Sequence, residues 1–215
     1  MNSPLIHIEN LAIGYKGKTI LDHFNLDIFK GEMIGLKGRN GRGKTTLLKT
    51  ICGLIPPLSG DILYEGKNIQ SLSAIERARS ISIVLTQRVL LQGITVRALV
   101  EMGRFPNLGR VHFENDSDST LIDNCLEKLN IRHLAEKPLA EISDGELQKA
   151  MIARALAQQT PVILMDEPTA FLDYVAKDEL FQLLSSLIAK EGVSILFSSH
   201  DIDSMKQVST RIIEL

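Results

Sequence analysis

The sequence is poor in several features that mark particular protein classes. It has no tryptophan and two cysteines among 215 residues, and 24 Lys+Arg against 26 Asp+Glu give a formal net charge of −2. This balance of charge does not favour nucleic acid as a partner. Cys52 and Cys125 lie far apart without the Cys/His spacing of a metal site, so they are predicted to be buried free thiols rather than a disulfide or metal ligands.

Long apolar stretches are also missing. No uncharged stretch approaches the ~20 residues that a membrane-spanning helix needs. Residues 1–9 contain neither a basic region nor an unbroken apolar run, so no secretory signal is expected and the protein is expected inside the cell. With 44% hydrophobic and 23% charged residues, the chain is nevertheless expected to fold, as one domain over residues 1–215.

The hydrophobic pattern predicts two kinds of β-sheet. Alternating apolar residues over Leu5–Ile13 and Thr19–Phe29 predict antiparallel strands. Continuous apolar runs at Val162–Met165 and Val193–Phe197, with a helix between them, predict buried parallel strands. The sequence therefore indicates an α/β protein with a parallel core and a separate antiparallel β region.

A helical insertion is expected before the first of these buried strands. From about Thr95 to Gln158 the pattern is mostly helical, and only the polar stretch 115–119 interrupts it, so a helical subdomain is expected over about residues 88–158. That stretch is predicted to be a solvated loop that caps the following helix.

One segment matches a phosphate-binding loop in full. Residues 38–45 read GRNGRGKT, the pattern G-x-x-x-x-G-K-[ST], between a predicted strand and a predicted helix. The glycines allow backbone N–H groups to turn toward phosphate oxygens, and the helix N-terminus adds a favourable dipole. Lys44 would reach the β- and γ-phosphates and Thr45 would ligate Mg²⁺. A chance Gly-rich turn is the alternative, and the loop alone does not distinguish a kinase, a GTPase and a transport ATPase.

Two carboxylates follow the first buried parallel strand. Asp166 and Glu167 come directly after Val162–Met165, where an acidic turn without function is the simpler interpretation. Beside a P-loop, Asp166 would hold Mg²⁺, directly or through water. Glu167 would orient and deprotonate an attacking water.

Two further motifs are weak by themselves. His200 follows the strand Val193–Phe197, and ligands bind at this end of parallel strands, although a lone histidine is more often a surface or core residue. Ser143 and Glu146 begin a predicted helix with the spacing of a capping box.

Taken in order, these motifs resemble the ATP-binding subunit of an ABC transporter over essentially the whole chain. The resemblance implies a P-loop ATPase core with a parallel sheet, an antiparallel β subdomain and an inserted helical subdomain. The matching positions are Gly38, Arg39, Asn40, Gly41, Arg42, Gly43, Lys44, Thr45 and Thr46 in the Walker A loop, Gln87 in the Q-loop, Ser143, Asp144, Gly145 and Glu146 in the signature, Asp166 and Glu167 in Walker B, Asp173 in the D-loop, His200 as the switch histidine, and Tyr15 as the aromatic residue that stacks on adenine.

This resemblance implies ATP hydrolysis in a site shared by two subunits, with ATP and Mg²⁺ as cofactors. ATP would lie between Walker A of one subunit and the signature of the other, in a homodimer or with a paired ATPase subunit. The catalytic residues would be Glu167, His200 and Lys44. Gln87 would join Thr45 and Asp166 at Mg²⁺ and link the site to the membrane partner.

The sequence departs from the family pattern in two motifs. Asp144 replaces the first glycine of the signature and Glu146 its glutamine, while Phe171 lies in the D-loop where smaller residues are usual. A carboxylate near the triphosphate is expected to weaken closure of the dimer, unless it points away as a helix cap. The end of the chain, 210–215, resembles a late strand of the fold, whereas many importer ATPases continue further.

The segment 93–106 resembles the region after the Q-loop in ATPases of iron-siderophore, haem and cobalamin importers, with Ala98 in place of a glutamate. This resemblance implies integral-membrane permease subunits as partners, a substrate-binding protein as an indirect partner, no nucleic acid, and a cytoplasmic location at the inner face of the membrane. An exporter of lipid or peptide remains the alternative, and a non-transport ABC ATPase is a further one.

Overall fold

The computed structural model describes residues 3–15, 17–86, 93–107 and 116–215. The strands are β1 (Ile6–Tyr15), β2 (Lys18–Ile28), β3 (Met33–Lys37), β4 (Ser59–Tyr64), β5 (Lys67–Asn68), β6 (Ile81–Val84), β7 (Val162–Met165), β8 (Ser194–Ser198) and β9 (Arg211–Glu214). The α-helices are α1 (Lys44–Ile51), α2 (Ala74–Ser80), α3 (Val96–Glu101), α4 (Asp116–Lys128), α5 (Asp144–Ala157), α6 (Tyr174–Glu191) and α7 (Ile202–Val208). Short 3₁₀ helices cover Ile69–Ser71, Met102–Arg104, Arg132–Leu134 and Leu139–Glu141.

The first sheet is antiparallel, in the order β2-β1-β4-β5. Strands β1 and β2 form a hairpin in which Ile6 lies opposite Ile28 and Tyr15 opposite Lys18. The predicted antiparallel strands are confirmed, and the hairpin carries Tyr15 to the end of its strand.

The second sheet is parallel, in the order β6-β7-β8-β3-β9. Strand β7 pairs with β6 on one side and β8 on the other, and β3 lies beside β8. Parallel neighbours end at the same edge of the sheet, so the segments that follow β3, β7 and β8 emerge together. This topology brings the distant motifs of the sequence to one place.

The parallel sheet is covered on both faces, as its unbroken apolar strands require. Leu164 and Leu196 belong to one hydrophobic cluster with the antiparallel sheet and Leu47 of α1. Their neighbours Met165 and Phe197 belong to the other cluster, which includes α3 to α6. Each of these fully buried side chains contributes about 2 kcal/mol to stability. The edge at which the parallel strands end is therefore supported by tightly packed side chains on both faces of the sheet.

The helical part packs closely after α3. A Cβ on Gly103 would lie 2.2 Å from the carbonyl oxygen of Arg154 in α5, so no side chain fits at this crossing. Arg104 Nε lies 2.9 Å from Asp118 Oδ1 and ties α4 to the same region. The prediction of a loop at 115–119 was wrong for residues 116–119, which are the first residues of α4. Asp and Ser are favoured both in loops and in the first turn of a helix, so polarity alone did not separate the two.

Cys52 and Cys125 are buried free thiols, as predicted. Burial raises the pKa of each thiol to about 11, which keeps both in the unreactive thiol form. In the described part of the chain, no helix is both long and apolar enough to span a bilayer.

Candidate functional site

The P-loop connects β3 to α1 at the edge where the parallel strands end. Gly43 precedes α1 with φ of 94°, and a Cβ there would lie 2.7 Å from Ile20 Cγ2, so only glycine fits both the backbone and the space. Lys44 is buried, and its Nζ donates to the carbonyl oxygens of Gly38 at 2.7 Å and Arg39 at 3.4 Å. These contacts hold the lysine head within the curve of its own loop.

The N-terminus of α1 differs from those of the other helices with a described N-cap. Helices α2, α3, α5, α6 and α7 each begin with a side chain that accepts a hydrogen bond from the backbone of the first turn. In the described structure, α1 has no such side-chain cap and no acidic residue in its first turn. Its N–H groups and dipole therefore favour an anion from outside the chain.

Asp166 is the centre of a hydroxyl network at the end of β7. Thr45 Oγ1 donates to Asp166 Oδ2 at 2.6 Å, and Thr86 Oγ1 lies 3.3 Å from the same oxygen. Ser198 Oγ donates to the other oxygen, Oδ1, at 2.8 Å. The hydroxyl of the P-loop and the carboxylate of Walker B therefore meet directly, although 121 residues separate them.

This pair fits Mg²⁺. The ion prefers hard oxygen ligands and usually keeps waters and substrate phosphates in its shell rather than a full protein cage. The hydroxyl of Thr45 and the carboxylate of Asp166 supply such oxygens beside the P-loop. Among the described residues, no group of three or more His, Cys, Asp or Glu could hold a metal ion by itself.

Glu167, the residue after Asp166, has an uncommon backbone conformation. Its φ is 46°, in the left-handed region. A non-glycine residue adopts this backbone conformation at a cost of about 1–2 kcal/mol. The turn directs its side chain to His200, whose Nε2 lies 2.6 Å from Glu167 Oε1. Both side chains are partly exposed, so a substrate water can reach them.

Tyr15 lies at the end of β1, next to the start of α1. Its side chain is exposed, and its hydroxyl is 3.5 Å from Thr46 Oγ1. An exposed aromatic face beside the P-loop is suited to stacking on a base. The remaining loop residues 39–42 are exposed at the same edge.

The signature residues form the capping box that their spacing predicts. Ser143 is the N-cap of α5, and the backbone N–H of Glu146 donates to its hydroxyl. Glu146 Oε2 in turn accepts from both the backbone N–H and the hydroxyl of Ser143, each at 2.8 Å. These hydrogen bonds lower the pKa of the Glu146 carboxyl. The signature serine therefore donates to a carboxylate within its own helix.

The signature also touches the D-loop of the same chain. A Cβ on Gly145 would lie 2.9 Å from the carbonyl oxygen of Phe171, so glycine permits this close approach. Two residues further on, Asp173 caps α6 by accepting from the backbone N–H of Ala176 at 2.8 Å. Phe171 itself is exposed.

The structure thus brings some of the predicted residues together and leaves others apart. Hydrogen bonds and close contacts join Thr45 to Asp166 and Glu167 to His200, whereas the capping-box hydrogen bonds of Ser143 and Glu146 join these two residues to each other. Gln87 lies outside the described residues.

Sequence reasoning missed Thr86 and Ser198. Ser198 is the last residue of β8 and Thr86 comes two residues after the end of β6, and the hydroxyls of both bond to Asp166. The order and register of β6, β7 and β8 bring them to Asp166, and the sequence pattern contains neither.

The fold and the site define the class of protein. A P-loop after β3, paired acids after β7 and a histidine after β8, all at one edge of a parallel sheet, are the arrangement of a P-loop nucleoside triphosphatase. A family model described as ABC transporter matches residues 21–170, and the chain belongs to that family. It is an ABC ATPase, which binds and hydrolyses ATP.

Relatives and solved structures narrow this identification. The chain is 36% identical over 215 residues to the iron(3+)-hydroxamate import ATP-binding protein FhuC of Bacillus subtilis, covering 100% of this chain and 79% of the relative. It is 34% identical over 198 residues to the cobalamin import ATP-binding protein BtuD of Halobacterium salinarum, covering 92% of this chain and 49% of the relative. The dimeric post-hydrolysis structure of the ATP-binding cassette MJ0796, bound to ADP and Pi, superposes with a TM-score of 0.88, at 28% identity over 98% of this chain and 94% of that one.

Proposed function

We propose that this chain powers membrane transport by hydrolysing ATP in a site that it shares with a second ATPase subunit. The hydrogen bond from Thr45 Oγ1 to Asp166 Oδ2 carries the proposal, because it joins the phosphate loop to the acid that would hold a cation. Mg²⁺ bound by these two residues would neutralise charge on the phosphates.

Binding of the nucleotide is assigned to the P-loop and β1. The backbone N–H groups of residues 38–46 would receive the phosphates, since α1 has no side-chain cap of its own in the described structure. Lys44 would exchange its carbonyl partners for the β- and γ-phosphates, and Tyr15 would stack on adenine.

Hydrolysis is assigned to Glu167 and His200. Glu167 would orient the attacking water and accept its proton, and His200, already in contact with it, would contact the γ-phosphate. Gln87 would link the water and the cation site to the membrane partner.

The second subunit would complete the site. Its signature, residues 143–146, would face the γ-phosphate bound by the first subunit, with the Ser143 hydroxyl and the Gly145 N–H as donors. The D-loop residue Asp173 lies in the segment that contacts this signature within one chain, so both would act at the same interface.

A mixing experiment tests the shared site. Lys44→Ala removes the phosphate-binding lysine and Ser143→Arg blocks the signature, so homodimers of either variant should be inactive. A mixed dimer contains one P-loop and one signature that are both intact, and these face each other in a shared site. Hydrolysis well above that of either variant is therefore expected on mixing. If mixing restores nothing while both variants fold, the site is not shared.

A groove between the core and the helical part supports a membrane partner. It has a volume of about 280 Å³, and its lining includes Leu54, Ile83 and Arg154. Leu54 is exposed, as is Ile75 on α2. The lining residue Ile83 comes four residues before Gln87 in the sequence, and Gln87 is the residue proposed to link the cation site to the membrane partner.

The proposed cargo is a metal chelate, either an iron-siderophore, haem or cobalamin. The iron-hydroxamate and cobalamin import proteins among the relatives support this class. The chain would then act as one ATP-binding domain, with residues 88–158 as the helical subdomain, on the cytoplasmic face of the membrane and attached through the permease. A substrate-binding protein would be an indirect partner.

Co-purification of the membrane subunit tests this assignment. The expected partner is a permease of a metal-chelate importer, and Leu54→Asp should weaken its recovery. Leu58→Asp provides the control, because Leu58 is also exposed but is not among the residues that line the groove. Recovery of a lipid or peptide exporter would overturn the cargo class, and equal recovery with Leu54→Asp would overturn the groove.

A further inference from the structure

Ser198 is a buried hydroxyl with two partners in the candidate site. It is the last residue of β8, and it is fully buried. Its hydroxyl donates to Asp166 Oδ1 at 2.8 Å and accepts from the backbone N–H of Glu167 at 2.9 Å. One oxygen atom therefore contacts both acids that follow β7.

The first of these bonds fixes the orientation of the Asp166 carboxylate. Thr45 donates to Oδ2, the oxygen that faces the P-loop, while Ser198 holds Oδ1 on the opposite side. The sheet sets this geometry, because Met165 lies opposite Phe197 and the next residue of each strand emerges beside the other. Rotation of the carboxylate would break the bond to Ser198.

The second bond stabilises the backbone turn of Glu167. That residue has φ of 46°, a conformation that persists only where the surrounding structure holds it. The acceptor for its N–H is the Ser198 hydroxyl, and two residues further along the chain His200 contacts its carboxylate. The end of β8 therefore holds Glu167 at both its backbone and its side chain.

We propose that Ser198 is a positioning residue, whose hydroxyl couples the orientation of Asp166 to the turn that aims Glu167 at the attacking water. The proposal rests on the proposed roles of these two acids. It predicts that loss of this hydroxyl impairs hydrolysis and binding of Mg²⁺-ATP more than binding of ATP alone.

Ser194 offers a matched control on the same strand. It is equally buried, and its hydroxyl also has two partners, accepting from Gly31 N–H and donating to the carbonyl oxygen of Phe29, each at 3.0 Å. These partners lie at the other end of β8, away from the acids. Ser194→Ala and Ser198→Ala therefore remove the same group from the same strand, but only the second disturbs the site.

The test compares the two variants in the full chain. Ser198→Ala should lower kcat by about tenfold or more, since it leaves a buried carboxylate oxygen and a partly buried N–H without their partner. The Kd of a fluorescent ATP analogue should rise in the presence of Mg²⁺ and stay unchanged in EDTA. Amide hydrogen exchange at Glu167 in the nucleotide-free protein should accelerate. Ser194→Ala should change none of these, even where it lowers the unfolding temperature.

The proposal would be overturned if the two variants had equal effects. It would also be overturned if Ser198→Ala had the wild-type kcat and the wild-type rate of exchange at Glu167. If Ser198→Ala does not fold, Ser198→Cys keeps the site filled with a much weaker donor and should show the same losses. Glu167→Gln separates this proposal from the proposed function: if that variant is inactive and Ser198→Ala is normal, only the positioning role fails. If Glu167→Gln is fully active, the proposed function itself fails.

Discussion

His200 Nε2 lies 2.6 Å from Glu167 Oε1, so the histidine that follows β8 contacts the proposed base that follows β7. The two residues come from different strands, and only the parallel order β7-β8 brings them together. His200 can therefore position Glu167 before a nucleotide binds.

Replacement of this histidine should affect chemistry rather than binding. His200→Ala removes the contact that orients Glu167, so kcat should fall by roughly 10²-fold while the Kd for ATP stays close to that of the wild type. His23→Ala is the control, because this exposed histidine lies on β2. Steady-state kinetics and nucleotide titration separate the two effects, and an unchanged kcat would contradict the role of His200.

The carboxylate of Glu146 should oppose closure of the shared site. It accepts the Ser143 hydroxyl and brings a negative charge toward the phosphates. In Glu146→Gln the charge is removed, so the ATP concentration that gives half-maximal dimerisation should fall, by up to about fivefold for a partly exposed charge. The measurement is light scattering in a Glu167→Gln background, where ATP is retained.

The chain supplies a matched control for this prediction. Glu76 forms the same capping box with Ser73 at the start of α2, with Ser73 N–H donating to Glu76 Oε2 at 2.8 Å. Glu76→Gln alters an equivalent cap outside the signature, so dimerisation should not change. Similar shifts in both variants would mean that the effect comes from helix capping.

A surface pair predicts a pH dependence of stability. His7 Nδ1 lies 2.6 Å from Asp27 Oδ1, and the hydrogen bond to this carboxylate raises the pKa of His7 above its usual 6.5. Because the folded pKa is the higher one, the contribution to stability is complete below pH 6.5 and is lost as pH rises through the folded pKa. The unfolding temperature of the wild type relative to Asp27→Asn should therefore be higher at pH 6 than at pH 8. A difference that is constant across this range would contradict the pairing.

Much of the candidate site could be predicted from the sequence because it rests on local patterns. The P-loop of residues 38–45 and the capping box of Ser143 follow from spacing within a few residues, and the structure has both where they were predicted. To predict that Asp166 and His200 lie at one edge of the sheet, it was enough to infer that the strands before them are parallel neighbours.

The remaining features depend on contacts that the sequence pattern does not contain. The register of β7 and β8 determines that Ser198 meets Asp166, and tertiary packing determines that Gly145 lies against the Phe171 carbonyl. The prediction of a loop at 115–119 is wrong for residues 116–119, because their residue types suit a loop and a helix start equally well. Gln87 lies outside the described residues, so its expected role stays a prediction.

The turnover and nucleotide content of Glu167→Gln test most directly whether Glu167 is the base of ATP hydrolysis. The amide keeps the size of the side chain and its contact with His200, but it cannot accept a proton from water. We expect kcat to fall by at least about 10²-fold, while the variant retains ATP and forms an ATP-dependent dimer. Glu191→Gln, at the exposed end of α6, should behave as the wild type. Hydrolysis by Glu167→Gln at the wild-type rate would show that Glu167 is not the base.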